Sequence, residues 1–300
     1  MSEVLQYHPI PSAVRVHRST ARVKAICGPV GSGKTSVACW EFLMRAIDAP
    51  VALRGCVIRE SYRELHDSTR QTFEEWFENL EGYYYKESDE MAQVALTGPN
   101  GVQYTHELFF RACRRERDAS KLLSTEFGFV WLEEVVPAFS ARGVMGQGLP
   151  RGVFDVAQMR MRQKGVKRLT LLVTFNPPSP RHWTYKEFFQ TTPADMQRKS
   201  YALFRQPPRE NAQNLPQGYY ELLEETLPPD LARRMINGEV VTTYEGERVF
   251  PECRDGWHVV DHVEPLPNLP LICGQDYGLT PVMLITQITP GGQWRWLREI

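Results

Sequence analysis

Residues 28–35 read Gly28-Pro29-Val30-Gly31-Ser32-Gly33-Lys34-Thr35, a match to the pattern G-x-x-x-x-G-K-[ST]. Backbone N–H groups in such a turn, followed by a helix start, can surround phosphate oxygens; Lys34 reaches the terminal phosphates and the Thr35 hydroxyl is available to magnesium. Chance supplies this pattern in a chain of this length on the order of 1% of the time. A second signal is Phe129-Val-Trp-Leu-Glu-Glu134, an apolar run that ends in two carboxylates. Successive side chains on a continuing strand point to opposite faces, so a turn is needed to bring both acids toward the phosphates. Glu133 then suits a magnesium shell, and Glu134 suits orienting the water that attacks a γ-phosphate. The third is Thr174-Phe175-Asn176-Pro177, where a hydroxyl and an amide at a strand edge can sense the γ-phosphate and pass the difference on. Taken alone, the acid pair is a solvated strand end and the Thr-Phe-Asn-Pro stretch a strand terminator. Their place after the phosphate loop favours chemistry.

The elements needed to position these groups are legible around them. RVKAIC (22–27) reads as a strand entering the glycine-rich loop and SVACWEFLMRA as the helix leaving it. CVIRE, YTHELFF, FGFVWLEEVV and RLTLLVTF read as further strands, and SYRELHDSTRQTFEEWFENL as an amphipathic helix ending near Gly82. Alternating strand and helix signals predict an α/β fold with a mainly parallel central sheet. NPPSPRHW, from Asn176, must leave the sheet, because its prolines remove donors and restrict the residues before them. PQGYYELLEETLPPDLARRMINGE reads as two short helices split by Leu-Pro-Pro. The expected division is a core at 1–205, a small helical lobe at 206–245, a linker at 246–270 and the start of a second domain at 271–300. In that last stretch TPGG turns one strand back on the next.

The 300 residues carry 35 Lys plus Arg against 36 Asp plus Glu, a net charge of -1, which excludes a uniformly basic nucleic-acid binder but not a local basic surface. Charge is segregated: 61–90 holds nine acids and three bases, and 151–168 six bases and one acid. The second stretch, with Arg151, Arg160 and Arg162, is a candidate polyanion-facing surface. Arg111, Arg114, Arg115, Arg117 and Lys121 form another cluster, from which one guanidinium can enter a neighbouring subunit's nucleotide site. Six scattered cysteines read as reduced core residues. With no secretory leader and no apolar run of membrane-spanning length, an intracellular protein without a membrane partner is expected.

Together GPVGSGKT, FVWLEE, LLVTFNP and the later GQDYGLTP resemble the large terminase subunit of tailed bacteriophages, along nearly the whole chain. The resemblance implies a P-loop ATPase of the additional-strand catalytic-glutamate type followed by the start of an RNase H-like nuclease domain. It further implies that Lys34 and Thr35 bind ATP phosphates and Mg2+, Glu133 is the metal-side acid, Glu134 is catalytic, and Thr174 to Asn176 form the coupling motif. Glu133 is longer than the more usual Asp, so its contact with the metal is expected to run through an intervening water as readily as directly. Implied partners are double-stranded DNA, a portal protein, a small terminase subunit and a ring of like subunits; the implied setting is the host cytoplasm and, transiently, the procapsid portal vertex. Asp276 resembles the first acid of a nuclease centre that uses divalent metals. The 24 residues after it contain only Glu299 as another carboxylate, so no competent nuclease site is expected within these residues. The competing expectations are a nucleic-acid helicase or repair ATPase, and a nucleotide-binding structural or signalling module without turnover.

Overall fold

In a computed structural model of the chain, residues 5–137, 148–241, 255–260, 262–277 and 282–300 are described. Its contacts divide it into two units, Met1–Gly246 and Glu247–Ile300. The expected linker at 246–270 falls partly outside the described residues, as do 278–281 of the GQDYGLTP stretch.

The larger unit contains β1 (Val23–Cys27), β2 (Arg54–Arg59), β3 (Tyr83–Lys86), β4 (Met91–Thr97), β5 (Gln103–Ala112), β6 (Phe129–Leu132), β7 (Thr170–Phe175) and β8 (Tyr201–Arg205). They form one sheet in the order β3-β4-β5-β2-β6-β7-β1-β8. Every pairing from β5 to β8 is parallel, and β3 and β4 add an antiparallel edge. The fold is therefore α/β with a mostly parallel sheet. One strand, β7, stands between β1 and β6, the arrangement that defines the additional-strand class of P-loop fold.

The continuous apolar run of β6 follows from burial on both faces. Phe129 and Trp131 enter one core with Phe42, Phe73, Phe77 and Phe110. Val130 and Leu132 enter the other with Val153, Phe154, Leu171 and Val173. Helices α1 (Pro11–Arg18) and α2 (Lys34–Ile47) cover the first face, with α3 (Tyr62–Glu64), a π-helical stretch at Leu65–Arg70 and α4 (Gln71–Phe77) beside them. The helix expected to reach Gly82 thus ends at Phe77 and is interrupted by the π turn. Helix α5 (Arg151–Arg160) packs into the second core, and α6 (Pro193–Lys199) precedes β8. A buried ion pair pins β1 to α2: Lys24 Nζ lies 2.6 Å from Glu41 Oε1 and donates to the Val16 carbonyl at 2.8 Å, while His17 Nδ1 lies 2.7 Å from Glu41 Oε2.

After β8, helices α7 (Tyr219–Thr226) and α8 (Pro229–Met235) are separated by Leu227 and Pro228, as the Leu-Pro-Pro signal predicts. The smaller unit holds α9 (Asp255–His258) and an antiparallel three-stranded sheet of β9 (Ile272–Asp276), β10 (Val282–Ile288) and β11 (Trp294–Glu299), ordered β11-β10-β9. The TPGG stretch is the β10–β11 turn, where Gly292 has φ 81° and its N–H donates to the Thr289 carbonyl at 2.9 Å. Across the described residues, no helix is long and apolar enough to cross a membrane.

Candidate active site

The parallel strands β1, β2, β6 and β7 end at one edge of the sheet, where ligands of open α/β folds bind. Each delivers part of a polar cluster. From β1 the chain enters the phosphate loop. Gly31 and Gly33 have φ of 69° and 79°, values that glycine adopts without strain. Gly33 is also the N-cap of α2, and no side chain caps that end, so its first N–H groups are available to an anion.

Lys34 folds under the loop. Its Nζ donates to the carbonyls of Gly28 at 2.8 Å and Pro29 at 2.7 Å, and to Asn176 Oδ1 at 3.2 Å. Withdrawal from water lowers its pKa to about 8, and the negative potential of Cys27 and Glu133 only partly offsets this. The Thr35 hydroxyl donates to Glu133 Oε1 at 2.8 Å, and the Thr174 hydroxyl donates to Glu133 Oε2. Trp131 Nε1 donates in turn to Thr174 Oγ1 at 3.0 Å. The first turn of α2, the residue following β6 and β7 are therefore joined through a single buried carboxylate.

Glu134 takes a different direction. Its φ is 52°, a left-handed conformation uncommon outside glycine, which turns the chain just beyond the end of β6. Glu134 pairs with the guanidinium of Arg59 at the end of β2, and Arg59 Nη1 donates to Thr69 Oγ1 at 3.2 Å. Beyond it the chain runs alongside the exit of β7: Val135 N–H donates to the Thr174 carbonyl at 3.0 Å, and Asn176 donates to the Val136 carbonyl from both its backbone N–H, at 3.3 Å, and Nδ2, at 3.1 Å. Phe175 is buried in the core, and its carbonyl accepts the Gly28 N–H at 3.2 Å. The structure thus brings Lys34, Thr35, Glu133, Thr174 and Asn176 into one cluster, with Glu134 at its margin facing Arg59.

The phosphate loop is also held from the far side. Ser32 Oγ donates to the Pro29 carbonyl at 2.8 Å and lies 2.8 Å from Gln206 Oε1. Asn211 Nδ2 donates to the Gly31 carbonyl at 2.9 Å, and the Tyr220 hydroxyl to the Val30 carbonyl at 3.3 Å. Beside the loop opens a cleft of about 640 Å³ whose walls include Gln6, Tyr7, Gly33, Val37, Trp76 and Asn211. Tyr7 stacks on Trp40 with centroids 4.5 Å apart. Sequence reading missed Arg59, Gln206, Asn211 and this N-terminal wall. The available signal was an amide and an aromatic, Gln6-Tyr7, just ahead of the first helix.

The candidate arginines divide. Arg111 donates to the carbonyls of Asp89, Glu90 and Phe110; Arg151 pairs with Asp155 and Glu187; Arg160 donates to the Thr125 carbonyl; Arg162 pairs with Glu126. Arg114, Arg115 and Arg117 are exposed, Arg114 lying 4.0 Å from Glu60, and they follow the end of β5, on the sheet edge that carries the nucleotide-type cluster. Asp276 closes β9 in the smaller unit, opposite Val282.

Comparisons with known proteins agree with this architecture. The family described as phage terminase large subunit matches residues 20–239. The large terminase of a thermophilic bacteriophage superposes with TM-score 0.64 at 17% identity, over 98% of this chain and 68% of that one. The same protein in complex with ADP gives 0.63 at 17% identity, over 97% and 68%. The ATPase domain of the Thermus phage P74-26 large terminase gives 0.54 at 17% identity, over 79% and 96%. No curated protein matches the chain. With the match running from β1 to the end of the α7–α8 lobe and covering well over half of the residues, the chain belongs to the phage terminase large subunit family.

Proposed function

We propose that this chain hydrolyses ATP and uses the energy to move double-stranded viral DNA into a procapsid. The observation that carries the reading is the convergence of Lys34, Thr35, Glu133 and Asn176 on the open N-terminus of α2. The loop N–H groups and Lys34 hold the triphosphate, and the cleft beside Gln6 and Tyr7 receives the base and sugar. The Thr35 hydroxyl and the Glu133 carboxylate are hard oxygen donors that fit Mg2+, which supplies charge neutralisation of the phosphates. Glu134, once released from Arg59, accepts a proton from the attacking water and orients it. Because Lys34 Nζ already contacts Asn176 Oδ1, a γ-phosphate that draws Lys34 away alters the contacts of Asn176, and Thr174 to Asn176 pass the change onward.

Within this reading 1–205 is the ATPase core, 206–245 a lobe that moves against it, 246–270 a linker and 271–300 the start of an RNase H-like nuclease domain carrying Asp276. DNA cleavage with divalent metals belongs to the full-length protein. Arg114, Arg115 and Arg117 supply a guanidinium to a neighbour in a ring assembled on the portal, with a small terminase subunit selecting the DNA, in the host cytoplasm. Contacts of Arg111, Arg151, Arg160 and Arg162 within the chain leave them better suited to shaping the DNA-facing surface than to reaching across an interface.

The test is phosphate release with and without duplex DNA. Glu134→Gln is expected to keep ATP affinity while turnover falls about 100-fold or more, because positioning of the water is lost. Turnover near the parent rate would overturn the assignment. Portal-dependent DNA packaging by the full-length protein tests the transported substrate, and strand separation without movement of intact duplex would favour a helicase.

A further inference from the structure

Three segments carry the groups assigned to the reaction: the phosphate loop, the extension of β6 from Glu133 to Pro137, and the exit of β7 from Thr174 to Pro177. All three meet two consecutive residues of α8. The Met235 carbonyl accepts the Val30 N–H of the phosphate loop at 2.8 Å. Arg234 Nε donates to the Pro177 carbonyl at 2.6 Å, and Nη2 of the same guanidinium donates to the Pro137 carbonyl at 3.3 Å. Those carbonyls lie one residue beyond Asn176 and Val136, the two residues already joined by paired hydrogen bonds.

Arg234 is fully buried. Removal from water pushes its pKa down to about 10, so it remains charged at neutral pH. A buried cation costs several kcal/mol unless it is well paired and hydrogen-bonded, so an arginine is a poor choice merely to fill a core. Core filling therefore does not require arginine here. What arginine supplies is a planar fork of donors that reaches two carbonyls on two different segments with one rigid group, which a lysine ammonium cannot reproduce.

We propose that Arg234 is a positioning residue for ATP hydrolysis, tying the Glu134-bearing and Asn176-bearing segments together through one guanidinium and transmitting their relative displacement to the α7–α8 lobe. The inference rests on the ATPase reading above. A γ-phosphate that changes the Lys34–Asn176 contact shifts Pro177 relative to Pro137, and the guanidinium bonded to both must follow. Met235 is then carried with it, and with Met235 the bond to Val30.

The experiment uses the full chain with Arg234→Lys and Arg234→Met. The methionine removes the buried charge at similar volume, so it is expected to fold; the lysine keeps the charge and loses the fork. The expected result in both is a fluorescent-ATP Kd within about threefold of the parent and a kcat lowered about tenfold or more, because misplaced groups cost rate rather than binding. ATP-dependent protection of amides 219–235 from hydrogen exchange is expected in the parent and expected to vanish in both variants. A kcat within twofold of the parent in either variant overturns the inference, as does unchanged exchange protection. Variants that fail to fold, or that lose binding and turnover in parallel, assign Arg234 to stability alone and also overturn it. A parent no more active than Glu134→Gln overturns the ATPase reading and the inference together, whereas an active parent indifferent to residue 234 overturns the inference only.

Discussion

Glu133 and Glu134 are neighbours in sequence and have different surroundings. Glu133 is buried between the hydroxyls of Thr35 and Thr174, and Glu134, turned by its positive φ, faces Arg59. Replacing Arg59 by Ala removes the guanidinium paired with Glu134. Because that pairing restrains the carboxylate, basal ATP turnover is expected to rise about two- to fivefold once the ion pair is gone; a fall in turnover at unchanged Kd would instead make Arg59 part of the reacting arrangement. Lys34 offers a pH test with a defined sign. Its pKa in the free protein is lowered to about 8, and a bound triphosphate favours the charged form. Below pH 8 the lysine is protonated in both states and binding takes up no proton. Above pH 8 the free protein has lost the proton and the complex regains it, so ATP affinity is expected to fall by up to about tenfold per pH unit. Calorimetry at pH 8.5–9 in buffers of different ionisation enthalpy should detect the uptake, and its absence would show that Lys34 stays charged throughout.

At the scale of elements, the site depends on how β1 and α2 are fixed to each other, since the phosphate loop is the link between them. The Lys24–Glu41 pair does this from inside the core, with His17 bringing in α1. Burial by itself would raise the Glu41 pKa, but the hydrogen bond from His17 and the charges of Lys24 and Arg45 outweigh it and hold the carboxyl low. Glu41→Gln leaves Lys24 as a buried unpaired cation, an expected cost of about 3–5 kcal/mol, read as a fall in Tm of about 10 °C or more. A shift of under 3 °C would mean that solvent or Val16 alone satisfies the lysine. Other elements were harder to foresee. β3 and β8 are edge strands with mixed exposure, so neither shows the unbroken apolar run that marks β6 and β7. The π turn at Leu65–Arg70 leaves no mark on a helical hydrophobic period that continues through it.

For the molecule as a whole, the larger unit has both cores and every group placed in the candidate site, all within Met1–Gly246. A fragment ending at Gly246 is therefore expected to unfold cooperatively and to bind ATP with a Kd within about threefold of the full chain. An aggregated or non-binding fragment would show that residues 247–300 are needed for the fold. In the smaller unit Ile272, Tyr277, Trp294 and Trp296 are exposed around a three-stranded sheet, less cover than a stable isolated sheet usually has. That fragment alone is not expected to hold a fixed structure, which a dispersed amide spectrum of 247–300 would contradict.

Local chemistry was open to sequence reading wherever one short stretch carried both its element and its reactive group. GPVGSGKT supplies a turn, a helix start, a lysine and a hydroxyl in eight residues, and FVWLEE a doubly buried strand with its acids, so the phosphate loop and the acid pair were evident without coordinates. The parallel α/β class followed from alternating strand and helix signals for the same reason. Tertiary structure alone decided which groups meet. Arg59 reaches Glu134 across 75 residues, Asn176 reaches Lys34 across 142, and Gln206 reaches Ser32 across 174. An arginine or glutamine in sequence carries no mark of its distant partner, because its side chain is soluble anywhere on a surface and acquires a specific role only when strand order and burial remove it from water. Arg234 shows this most plainly: by composition it is one basic residue in a short charged helix, and by position it is a buried guanidinium bonded to the segments that follow two strands.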